Sequence, residues 1–285
     1  MSIYFFAWTA SILFGLEGII AKLISKHSVS NPWFFNFLWT LFVLVFIIPT
    51  ALWLGAGFPV YWKYILLGSI LSALASILNT LAIYKLDVSV LVNLFSFRTA
   101  MAVIVGALFL NEILTAHQYF LIILIFIFGI FVSIDESFSF KSFFNKNILI
   151  ALVCMLSLVF SAMCFKKAVI LNGFWNATLW TPLIAQFWIL CTLPLFKSEI
   201  GKINLKQYFT IIAVAAVGFL GVLGANAAYS KNVSLASVII SLPLSMIIAF
   251  LFSVFAPDLL EKHTLKIYAI RFISATVMII AALNL

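Results

Sequence analysis

Ten apolar runs follow one another along the chain with little polar sequence between them. They fall near 3–25, 33–54, 64–84, 88–110, 117–134, 147–170, 175–196, 207–230, 233–255 and 264–285. Each is close to the roughly 20 apolar residues that a helix needs to cross a hydrocarbon core. The longest polar interruption, DESFSFKSFFNKN (Asp135–Asn147), divides the runs five and five. The pattern predicts an all-α integral membrane protein of ten transmembrane helices. Its first five-helix unit is expected at 1–134, a connecting loop at 135–146 and a second unit at 147–285.

The halves share a pattern. An offset of 145 places Tyr229 on Tyr84, Val233 on Val88, Ser234 on Ser89, Ser241 on Ser96 and Met246 on Met101. A nearby offset sets FFNFLWT (Phe34–Thr40) beside FWNATLWT (Phe174–Thr181). The row Gly218, Gly221, Gly224 falls on Ala73, Ser76, Asn79. Spacing of three residues puts each row on one helix face, where a second backbone can approach closely. A repeat of five spans must insert its second copy upside down. The expected architecture is therefore two inverted five-helix repeats about an axis in the membrane plane.

Composition supports lipid as the solvent. The chain is 66% hydrophobic and 8% charged, with a mean hydropathy of +1.26. A soluble domain carries about 25% charged residues. The net charge of +8 comes from lysines scattered at the ends of apolar runs. There they meet lipid phosphates, so membrane lipid, not nucleic acid, is the expected partner. Cys154, Cys164 and Cys191 lie inside apolar runs and read as small buried hydrophobes. The N-terminal MSIYFFAWTASILFGLEG lacks a basic leader and reads as a retained first span.

Several ordered features resemble the EamA-like branch of the drug/metabolite transporter superfamily. They are the five-plus-five count, Phe14-Gly15 echoed by Phe160-Ser161, and LAIYKLDVSVL (Leu81–Leu91) echoed by AAYSKNVSLAS (Ala227–Ser237). Pro243 stands near the middle of the ninth run, and Asn111-Glu112 precedes Leu114-Thr115 and Gln118. Arg98 stands where the first repeat of the family usually has its proline, and Ala256–Thr264 replaces the second Glu step. The resemblance implies a secondary transporter of a small metabolite, with helices 1–4 and 6–9 around a cavity and helices 5 and 10 outside. It implies that both termini are cytoplasmic. The lysine distribution favours the opposite, and both readings place the termini on one side. The expected location is a bacterial inner membrane.

Charge inside the membrane is costly and points to function. Glu17 and Arg98 are the charges at mid-membrane positions, and helix rise places them within about 3 Å in depth. Asn79 and Gln186 come out at similar depth. A buried salt bridge is one reading. A divided site is the other, with Arg98 on a carboxylate or phosphate and Glu17 on an amine or a coupling proton. Trp39 and Trp180, at matched repeat positions, are candidate cavity walls. Tyr84 and Tyr229, which close their helices, are candidate gate residues. Lys166-Lys167 reads as the end of the sixth helix. No nucleophile elbow, zinc motif or phosphate loop occurs, and His27, His117 and His263 are far apart. No enzymatic activity, metal or cofactor is expected. The sequence therefore suggests alternating-access transport of a polar or amphipathic metabolite, amino-acid-like or an organic anion. A flippase for a lipid-linked head group and a non-transporting assembly partner are the alternatives.

Overall fold

Helix starts carry the polar residues that satisfy their first N–H groups. Ser2 accepts from the Tyr4 N–H at 3.2 Å. Asn31 accepts from Trp33 and Phe34, with Pro32 opening the helix behind it. Asn204 and Gln207 form a reciprocal capping box. A computed structural model describes residues 2–86, 88–132, 146–244 and 265–285. Among these are ten α-helices and no strand. They are α1 (Ile3–His27), α2 (Pro32–Trp53), α3 (Lys63–Lys85), α4 (Val88–Leu110), α5 (Ala116–Val132), α6 (Lys146–Asn172), α7 (Phe174–Leu190), α8 (Leu205–Lys231), α9 (Val233–Ile240) and α10 (Leu265–Leu283). Most of the expected 135–146 loop, Met246 and Ala256–Thr264 lie outside the described residues.

Five helices are long and apolar enough to cross a membrane: α1, α2, α3, α8 and the Leu149–Asn172 part of α6. Their packing is inverted relative to a soluble bundle. Phe5 (56% exposed) and Ile12 (54%) face outward, while Ala7, Ala10 and Ser11 of the same helix are buried. Lipid accommodates large apolar side chains as well as a core does, so the interior goes to small residues that let backbones close. The Gly218, Gly221, Gly224 row shows this directly. It faces α1, and a Cβ on Gly221 would lie 2.8 Å from the Phe14 ring. One on Gly224 would lie 3.1 Å from the Phe6 carbonyl.

Two expected spans are interrupted. The seventh run, expected to 196, ends as a helix at Leu190 and continues as 3-10 turns at Leu193–Leu195 and Lys197–Glu199. Pro194 has no N–H to continue the ladder. The turns fold Phe196 back into the core, stacked 5.0 Å from Phe37 and 5.6 Å from Phe34. The ninth run, expected from 233 to 255, breaks after Ile240. Pro243 cannot bond to Ile239, and the chain turns instead through Leu242 N–H to Ile239 O at 3.2 Å.

Contacts between the halves are reciprocal. α1 packs on α8 and α6 on α3; α2 packs on α8 and α7 on α3; α4 packs on α6 and α9 on α1. α5 pairs with α10. The Tyr4 hydroxyl donates to the Leu285 carbonyl at 3.0 Å, so the two described ends of the chain meet at one end of the molecule. An apolar cluster around Ala7, Ala10, Ala228 and Val233 occupies that end. A second, around Ile24, Phe35, Ala82 and Phe196, occupies the other.

Candidate functional site

A cavity of about 400 Å³ lies among α1–α4 and α6–α9. Among the described residues, none of α5 or α10 lines it. Ligand sites for small molecules start near 300 Å³, so the space suits a small metabolite. Six of the eight candidate residues line it: Glu17, Trp39, Asn79, Arg98, Gln186 and Tyr229. Gly15 and Ser161, from the echoed aromatic-small steps, line it as well.

Glu17 and Arg98 are both buried, at 8% and 5% exposure, yet the ion pair expected from their depth is not formed. Equal depth left their lateral separation open, and each has a nearer partner. The Trp39 indole N–H donates to Glu17 Oε1 at 3.0 Å. Gly218 makes room for that carboxyl, because a Cβ there would overlap Oε1. Arg98 donates through Nη2 to the Tyr229 hydroxyl, and its Nε has no partner. The cavity thus presents an acidic group held from α2 and a guanidinium held from α8. A guanidinium with donors left over can engage an oxyanion by two parallel bonds.

Part of the remaining polar lining is under-satisfied. Gln186 donates to the Phe37 carbonyl at 3.3 Å while its Oε1 has no partner. The Ser11, Thr181 and Ser241 hydroxyls likewise have none. Buried polar atoms without partners are rare and call for a ligand or water. Ser241 reaches the cavity only because α9 breaks there.

Two candidates lie elsewhere. Trp180 donates to the Gly57 carbonyl at 2.7 Å and packs on Phe58 and Trp62, so it braces the α2–α3 turn. Its neighbour Thr181 faces the cavity instead. Tyr84 donates to the Val29 carbonyl at 2.6 Å and ties the end of α3 to the α1–α2 turn. Repeat matching identified these positions but not their facing, which depends on the tilt of each helix.

Other residues matter more than their sequence context suggested. Lys22, five residues after Glu17, lines the cavity and donates to the Ile83 and Leu86 carbonyls at 2.9 and 2.7 Å. It neutralises the carbonyl end of α3. Asn36 accepts from Ser76 at 2.7 Å and Thr80 at 2.9 Å, joining α2 to α3. Ser72 and Ser161 join α3 to α6 at 2.7 Å. A charge or amide inside an apolar run was the available signal for Lys22 and Asn36.

A second polar cluster lies at the termini end. Glu112, in the α4–α5 turn, accepts from the Val233 and Ser234 N–H groups at 2.7 and 2.8 Å and from the Ser234 hydroxyl at 2.6 Å. Lys166 donates to it at 2.8 Å and to the Lys231 carbonyl at 3.0 Å. Lys166 therefore does not end α6, which runs on to Asn172. Burial pushes the Glu112 carboxyl up, but Lys166, Ser234 and the two N–H groups outweigh it and hold it below the ordinary range. Among the described residues no group of three side chains could hold a metal ion.

Fold and cavity together define an all-helical, membrane-embedded protein built around a buried, charged chamber. No family model and no curated protein matches the chain. A solved structure, described only as the crystal structure of a protein, superposes with a TM-score of 0.73 at 14% identity. The match covers 100% of this chain and 98% of that one, so the fold is shared along its whole length.

Proposed function

We propose that the protein is a secondary transporter of the EamA-like type, moving a small polar or amphipathic metabolite by alternating access. The observation that carries this is the central chamber: Glu17 and Arg98 enter it separately, with partnerless polar atoms around them. The substrate class is an amino-acid-like solute or an organic anion. The anion meets Arg98, and an amine or a coupling proton meets Glu17. Ten spans in two inverted repeats fit the reciprocal contacts between the halves, which a pseudo-two-fold axis generates. The break of α9 at the chamber supplies the discontinuous helix such transporters use. The chain performs no chemical conversion in this reading, and its place is the bacterial inner membrane.

The test is counterflow in proteoliposomes, guided by a thermal-shift screen of amino acids and small carboxylates. A solute that binds the folded state raises its melting temperature. The expected result is exchange of at least one such solute, lost in Arg98→Lys because a point charge lacks the bidentate fork. Absence of any exchange or shift overturns the reading and favours an assembly role. Activity on lipid-linked head groups alone favours the flippase.

A further inference from the structure

The transport reading leaves the Glu112 cluster without a role, yet several features build it. Asn111 adopts a left-handed φ of 52°, turning the chain so that the Glu112 N–H bonds back to the Gly106 carbonyl at 3.1 Å. An L-residue rarely takes this conformation, although Asn tolerates it better than most. Gly106 leaves the space the carboxylate occupies: a Cβ there would stand 2.6 Å from Glu112 Oε2 and overlap the Ser234 hydroxyl. The carboxylate then meets the N-terminal N–H groups of α9, where the helix dipole favours negative charge.

Among the described residues, every group that donates to the Glu112 carboxylate belongs to the second half of the chain, in α6 or α9. The cluster also lies in line with the chamber. Lys231, whose carbonyl Lys166 holds, follows Tyr229 by two residues, and Tyr229 holds Arg98. The far end of α9, at Ile240 and Ser241, lines the chamber. Beside the packing of α8 and α9 on α1 and α4, two polar ties therefore join the α8–α9 corner to the first half: Arg98 to Tyr229 inside, and the Glu112 cluster at the termini end.

We propose that Glu112 and Lys166 form a latch that keeps the chamber closed at the termini end. A ligand oxyanion that draws Arg98 away from Tyr229 removes the inner tie and leaves the latch as the main polar restraint. Separation of the α8–α9 corner from α4 then requires the Glu112 contacts to part, together with the weaker Ser234–Ala102 contact and the apolar packing of α9 on α4. The proposal rests on the alternating-access reading.

The test is side-specific labelling of the full chain in vesicles. Cys154, Cys164 and Cys191 are replaced by Ser, and Ser11→Cys supplies a reporter in the chamber wall, buried at 2% exposure. A membrane-impermeant maleimide is applied from each side in turn. Glu112→Gln keeps a neutral acceptor for α9 but loses the pairing with Lys166. It should raise labelling from the termini side about tenfold, within the usual range of conformational coupling. Lys166→Met should do the same. Tyr229→Phe, which removes the inner tie without a ligand, should raise it severalfold, and Tyr229→Phe with Glu112→Gln should exceed either alone. Wild-type rates in the latch variants, or equal increases from both sides, overturn the latch. So does failure of both latch variants to fold, which would make the cluster a fastener for assembly. A reporter labelled from neither side in any variant overturns the alternating-access reading itself. A wild-type reporter labelled only from the side opposite the termini, with unchanged variants, overturns the latch alone.

Discussion

Gly218→Ala is the smallest change that reaches the acidic side of the chamber. The added Cβ would overlap Glu17 Oε1 and stand 2.9 Å from the carboxyl carbon, with the Trp39 indole nitrogen 3.4 Å away. The α8 backbone is held against α1 by Gly221 and Gly224, so the Glu17 side chain must rotate and give up the Trp39 hydrogen bond. Parting a buried indole N–H from its acceptor costs about 1–3 kcal/mol. Alanine in place of a helical glycine returns about 0.5–1 kcal/mol. The net cost centres on about 1 kcal/mol, or a fall in melting temperature of roughly 2–4 °C on the scale of domains approaching this size. The assay is a double-mutant cycle by thermal melting in detergent. With Glu17→Ala as background the obstacle is gone, and Gly218→Ala should stabilise by about 0.5–1 kcal/mol. The coupling between the two positions should be about 1–3 kcal/mol. An equal effect of Gly218→Ala in both backgrounds would refute the reasoning, because the glycine would then not be making room for Glu17.

Arg98→Lys should weaken any carboxylate or phosphate ligand at least about tenfold in a binding assay while the melting temperature changes little. Asn36→Ala removes the shared acceptor of Ser76 and Thr80, and the two stranded hydroxyls should cost about 1–3 kcal/mol by thermal melting. Gly221→Leu must displace the Phe14 ring from a Cβ position 2.8 Å away; it should lower folded yield by size-exclusion chromatography. The depressed Glu112 carboxyl stabilises the fold in full above its ordinary value of 4.5, and that contribution is lost as pH falls through the lower folded value. The melting-temperature gap between wild type and Glu112→Gln should hold steady from pH 8 to about pH 5 and narrow below it.

Helix placement was largely legible because it depends on length and hydropathy along a single strand of chain. The starts of α2, α3, α6 and α8 lie within two residues of the apolar runs. The differences fell at Pro194 and Pro243, where proline acts on residues before it and interrupts a run that hydropathy reads as continuous. The glycine row was legible for the same reason: spacing alone puts three residues on one face.

Partnership was not legible, because it depends on tilt and rotation between helices far apart in sequence. Depth along the membrane normal placed Glu17 level with Arg98, but the structure gives Glu17 to Trp39 and Arg98 to Tyr229. Trp39 and Trp180 matched in the repeat, and only Trp39 faces the chamber. Glu112 looked like a family feature of a turn until the fold brought α6 and α9 to it. The apolar runs were enough to set the helices and the charges placed among them, since each follows from the local cost of burying polar groups in hydrocarbon. Which of those charges meet, and what they meet, was decided only by the tertiary packing, because a hydrogen bond needs a partner within about 3 Å and no local rule sets that distance.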